Sequence, residues 1–94
     1  MTNLTVHVVP ESNGLDAITV FFQDIEPGKG RIVVECFGEA WSAYFNAMGA
    51  ENTIREFVMG AGGDYLTNKL SRPFQTKRTD KYLRRLVDAL KASL

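Results

Sequence analysis

From residue 77 to residue 94 the apolar side chains recur with the period of a helix. At about 100° per residue, Tyr82, Leu83, Leu86, Val87, Leu90 and Leu94 fall within one arc of roughly 140°. Lys77, Lys81, Arg84, Arg85 and Lys91 fall on the opposite side. Burying one Leu fully is worth roughly 1.5–3 kcal/mol, so a helix with this stripe must dock on something apolar. A chain of 94 residues makes one domain, 1–94, and the docking surface must come from its remainder.

That surface is legible upstream as strands. Leu4, Val6 and Val8 alternate with Thr5, His7 and Val9, the period of a half-buried strand. Pro10 ends it, and Glu11-Ser12-Asn13-Gly14 forms a turn in which Asn-Gly supplies positive φ. Ile18, Val20 and Phe22 mark a second strand. Pro27-Gly28 suits the centre of a type II turn, and Arg31 to Phe37 forms a third strand with Ile32, Val34 and Cys36 on one face. These three strands are expected to form an antiparallel meander.

After Gly38 the pattern fits a helix, with Trp41, Tyr44, Phe45 and Met48 at i, i+3, i+4 and i+7 and Gly49 as a stop. Asn52 is a candidate cap for a second short helix holding Ile54, Phe57 and Val58. Gly60-Ala61-Gly62-Gly63 breaks it, and Asp64 caps a third with Tyr65, Leu66 and Leu70. Arg72-Pro73 interrupts the helical pattern, and Thr76 or Thr79 opens the last helix. The expected fold is α+β: a three-stranded antiparallel sheet (meander) followed by three short helices and one longer C-terminal helix, packed mainly on one sheet face.

Charge is sorted along the chain. Lys69, Arg72, Lys77, Arg78, Lys81, Arg84, Arg85 and Lys91 face only Asp80 and Asp88 in residues 69–91, a local net of +6. The first 68 residues carry three cations against nine acids, so the whole chain is formally neutral. A basic face attracts anions. These eight cations are the candidate partner-binding residues, with Arg84 and Arg85 suited to engaging two oxygens at once. Phe74 and Tyr82 lie among them, but Tyr82 falls on the apolar arc, which leaves Phe74 as the candidate stacking ring.

Other constellations carry little chemistry. Gly60-Ala61-Gly62-Gly63-Asp64 lacks the Lys-Ser/Thr ending of a P-loop and follows a helix pattern rather than a strand, so it is expected to be a connection. His7 and Cys36 form the one thiol–imidazole pair available, and strand parity places them on opposite sheet faces. One His and one Cys do not fill a zinc shell. Glu35, Glu39, Glu51 and Glu56 form no acid/base pair. No catalytic residue, metal site or cofactor is therefore expected. Cys36 is the single cysteine, which suits a reducing compartment. The Met1-Thr2-Asn3-Leu4 start lacks the pattern of a signal peptide, and no apolar run is long enough to span a bilayer, so a cytoplasmic address with no membrane partner is expected. Parity puts Val9, Thr19, Phe21, Val33 and Phe37 on the outer sheet face beside His7, Gln23, Arg31 and Glu35. If the helices leave that face open, it makes a candidate homodimer surface.

Residues 30–45, Thr53-Ile54-Arg55-Glu56-Phe57, Asp64 to Leu70 and Lys81 to Val87 together resemble small accessory proteins of temperate enterobacterial phages and prophages. The likeness covers about residues 30–90 and carries over no functional residue. It implies a phage product acting in the cytoplasm of the bacterial host. Such products often disable host machinery, and type I anti-CRISPR proteins share this size. The expected function is thus a non-enzymatic inhibitor that binds a type I CRISPR–Cas effector protein, and its guide RNA as a further contact, through the basic helix. The alternative is a phage nucleic-acid-binding accessory or regulatory protein using the same helix.

Overall fold

Three tight turns fold the first half of the chain back on itself. The computed structural model describes residues 3–49 and 51–94. In it β1 (Asn3–Val9), β2 (Ile18–Glu26), β3 (Lys29–Cys36) and β4 (Glu39–Phe45) form one antiparallel sheet in the order β1-β2-β3-β4. Positive φ appears where each connection reverses: Asn13 at 49° and Gly14 at 79°, Gly28 at 80°, then Phe37 at 52° and Gly38 at 81°.

The last of these turns corrects the expected count of elements. Four strands and three helices are present, rather than three strands and four helices. Residues 39–45 extend as β4, with Trp41, Ala43 and Phe45 buried and Glu39, Ala40, Ser42 and Tyr44 exposed. Two periods coexist in this segment, because Trp41 and Phe45 belong both to a helical stripe and to a strand alternation. The two-residue Phe37-Gly38 turn decides between them, since positive φ at both positions matches the twist of a hairpin. Once the hairpin forms, β3 offers β4 a full ladder from Gly30↔Phe45 to Cys36↔Glu39.

The helices are α1 (Ile54–Gly60), α2 (Gly63–Leu70) and α3 (Lys77–Ser93). Thr53, rather than Asn52, caps α1 in a reciprocal capping box with Glu56. Asp24 of β2 adds a second cap by accepting the Ile54 N–H at 2.7 Å. Gly62 is the N-cap of α2, and Asp64 falls in its first turn. Of Thr76 and Thr79, the two openings offered by the sequence, Thr76 caps α3. α1 lies close on β3: a Cβ at Gly30 would stand 2.9 Å from Ile54 Cβ and 3.0 Å from the Gln23 carbonyl oxygen.

The core lies between one sheet face and the helices. Ile18, Val20, Phe22, Ile32, Val34, Cys36 and Trp41 meet Ile54, Val58, Leu66, Leu70 and the α3 stripe Leu83, Leu86, Val87 and Leu90. No helix among the described residues is long and apolar enough to cross a membrane.

β1 presents the opposite parity to the one its sequence suggested. Val9 is buried and His7 half-buried, whereas Leu4, Val6 and Val8 are more than half exposed. Register is the cause. The Pro10–Ala17 connection sets Val9 opposite the buried Ile18, and every second residue follows. His7 and Cys36 consequently share the inner face, but they make no pair. The His7 ring meets Ser93 Oγ at 2.9 Å, while the Cys36 sulfur accepts from the Tyr82 hydroxyl at 3.3 Å.

The outer face is uncovered and forms three rows across the four strands. One row runs Leu4, Gln23, Arg31, Tyr44; the middle row Val6, Phe21, Val33, Ser42; the third Val8, Thr19, Glu35, Ala40.

The two faces should respond differently to substitution. In urea unfolding, Leu86→Ala should lose about 2–5 kcal/mol, whereas Val8→Thr should change stability by less than about 0.5 kcal/mol. A large loss from Val8→Thr would show that β1 sits in the other register.

Candidate partner-binding surface

Most of the eight cations singled out by sequence are internal braces. Arg72 pairs with Glu39 at 3.1 Å and lies over the Trp41 ring, 4.9 Å from its centroid. Lys69 sits 5.6 Å from the Tyr65 ring centroid. Arg84 pairs with Asp64 of α2 and, at 2.9 Å, with Asp88 one turn along α3. Its guanidinium covers Gly63, where a Cβ would approach to 3.0 Å. The hydrogen bond to Asp88 and then that to Asp64 push the Arg84 pKa further up. Arg85 donates to the Asn13 carbonyl at 2.9 Å, tying α3 to the β1–β2 connection. Lys91 donates to the carbonyls of Val58, Met59 and Ala61 at the C-terminal end of α1.

The glycine-rich segment is a connection. Gly60 ends α1, Ala61 is its C-cap, Gly62 opens α2, and Arg84 lies on Gly63. Among the described residues no polar or charged side chain is buried, and no three His, Cys, Asp or Glu side chains gather to hold a metal.

Lys77, Arg78 and Lys81 are different. Among the described residues none of them joins an ion pair, and all three are exposed. Lys77 and Arg78 occupy the first turn of α3. Cations there oppose the positive end of the helix dipole, each by roughly 0.3–1 kcal/mol at an exposed site. The macrodipole favours Lys91 at the far end and gives no reason for these two.

Two aromatic rings stand at the same end with a similar lack of internal reward. Phe74, in the α2–α3 connection, has φ of 62° and is fully exposed. Phe37, in the β3–β4 turn, has φ of 52° and is 79% exposed. Positive φ is unfavourable for a bulky residue, and neither ring recovers the loss by packing. Gln75 holds the base of the Phe74 loop. Its carbonyl accepts from Trp41 Nε1 at 2.9 Å and its amide donates to Ser71 Oγ at 3.0 Å and to Asp80. Phe37 and Arg78 line one surface hollow of about 380 Å³ with Asp16, Glu39, Thr79 and Tyr82. Arg72 joins this end through Glu39, two residues along β4 from Trp41.

The structure thus gathers Arg72, Lys77, Arg78, Phe37 and Phe74 at the end formed by the β3–β4 turn and the start of α3. It sends Arg84, Arg85 and Lys91 to other tasks. The sequence named Phe74 directly. It misplaced Phe37 on the outer sheet face, because a bulky residue is uncommon at the positive φ this turn requires.

Tyr82 lines the same hollow. Its hydroxyl donates to the Cys36 sulfur, and this bond, with burial second, pushes its pKa up to about 12 from 10.0. A raised folded-state pKa stabilises the fold fully below the unfolded value and is lost as pH climbs through the folded one. Tyr82→Phe should therefore lower stability by about 0.5–1.5 kcal/mol at neutral pH. The gap between wild type and variant should narrow as pH rises from the unfolded value of 10.0 to the folded value of about 12 in melting experiments. A gap that is constant with pH would separate the hydroxyl from this role.

A model of a phage protein family, Phage_phiTE_072, matches residues 1–94. No curated protein and no solved structure matches the chain.

Proposed function

The chain belongs to this phage family, and from that premise we propose that it is a non-enzymatic inhibitor that binds a host defence complex through the end bearing Lys77, Arg78, Phe37 and Phe74. The target we propose is a type I CRISPR–Cas effector in the cytoplasm of the bacterial host. One observation carries the reading: four residues held at a cost to the free protein converge on one exposed end. Two are cations at the wrong end of a helix and two are bulky rings at positive φ. Side chains that weaken the monomer and pack on nothing inside it suit a partner that supplies the missing contacts.

The chemistry specifies that partner. Lys77, Arg78 and Lys81 ask for carboxylates or phosphates, and Phe37 and Phe74 are rings of the kind that fill pockets at the centre of an interface. An acidic protein surface with adjoining apolar pockets satisfies both. Phe74 beside free cations also fits a second reading, direct binding of single-stranded nucleic acid by stacking and phosphate contact.

Lys77→Glu with Arg78→Glu separates function from fold. The helix dipole predicts that this variant gains about 1–4 kcal/mol in stability. It should nevertheless lose capture of a purified type I effector and no longer restore plaquing on a CRISPR-bearing host. Undiminished capture would remove this end from the interface. Phe74→Ala should likewise weaken capture while leaving the melting temperature equal or higher. Titration of free single-stranded RNA decides the second reading, whose affinity must fall steeply with salt. No binding at low salt excludes it.

A further inference from the structure

The uncovered sheet face has a pattern of its own. Its middle row holds Val6, Phe21 and Val33, and no helix packs there. Leu4, Val6 and Val8 are 61%, 56% and 56% exposed along one edge. Within the three rows the charged residues are Arg31 in one outer row and Glu35 in the other, while Lys29 and Glu26, beyond the Arg31 row, pair with each other at 2.6 Å. Arg31 and Glu35 both lie on β3, about 13 Å apart at strand spacing, and no ion pair joins them among the described residues.

We propose that this face is an interface between two copies of the chain, related by a two-fold axis running across the strands along the middle row. Such an axis exchanges the two outer rows and leaves the middle row facing itself. Arg31 of each copy then meets Glu35 of the other. Tyr44 lies over Ala40, Leu4 over Val8, and Gln23 over Thr19, so each large side chain faces a smaller one. Val6, Phe21 and Val33 stack on their own counterparts. An axis along the strands would instead set Arg31 on Gln23 and leave Glu35 on Thr19, so charge selects the first.

A second copy suits the face better than nucleic acid. Arg31 and Glu35 cancel, and no excess of cations is present to meet phosphates. Four strands about 4.8 Å apart and five residues of about 3.4 Å give a face of roughly 19 by 17 Å. With side-chain relief, two copies bury on the order of 1,000 Å², the lower bound for a specific interface. The dimer is therefore expected to dissociate on dilution, and the partner-binding end stays outside it.

Sedimentation velocity from about micromolar to millimolar protein tests this directly. Wild type should shift from monomer to dimer as concentration rises. Arg31→Glu should remain monomeric, because the introduced carboxylate would meet Glu35 of the other copy at two places. Arg31→Glu with Glu35→Arg restores both opposite-charge contacts and should recover the dimer. Circular dichroism of each variant should show the same fold, since Arg31 is exposed and Glu35→Arg gives up one hydrogen bond, that accepted from the Gly38 N–H at 2.9 Å. A wild type that is monomeric throughout overturns the proposal. So does a dimer that survives Arg31→Glu, which would point to pairing through the open strand edges. A double variant that stays monomeric overturns the axis and with it the proposal.

Discussion

Four side chains of α3 set the terms for everything else. Leu83, Leu86, Val87 and Leu90 are at most 1% exposed. At roughly 1.5–3 kcal/mol each, their burial totals about 6–12 kcal/mol, as large as the whole net stability of an ordinary domain. The inner sheet face exists to receive them, and they in turn let a four-stranded sheet with two open edges persist. α1 and α2 close the remaining gaps, each with two fully buried residues.

The parts of the fold that were legible from residues are those where a single period and a clear punctuation agree. The α3 stripe and the Asn13-Gly14 turn are of this kind. β4 was not, because Trp41 and Phe45 satisfy two periods at once, and only the pairing surface offered by β3 chooses between them. The parity of β1 failed for another reason. Its more apolar set, Leu4, Val6 and Val8, faces outward, because the register set by a connection eight residues long overrides the composition. An edge strand beyond most of the helical cover loses little by turning its more apolar face outward, and that is why its alternation misleads.

The candidate site was half legible for a related reason. A run of cations in sequence is a statement about charge, whereas a docking surface is a statement about which charges lack a partner. Arg84 and Arg85 looked best suited to an outside anion, yet the fold brings Asp64, Asp88 and the Asn13 carbonyl to them. What distinguishes Lys77 and Arg78 is their position on the dipole of their own helix, a property that appears only once the helix start is known.

Lys91 carries a consequence for how the fold is completed. α1 has no basic residue in its last turn, and its terminal carbonyls are met by an ammonium group some thirty residues later. The inner sheet face likewise waits for leucines in the final quarter of the chain. The inner sheet face and the end of α1 are therefore completed by the same event, the docking of α3.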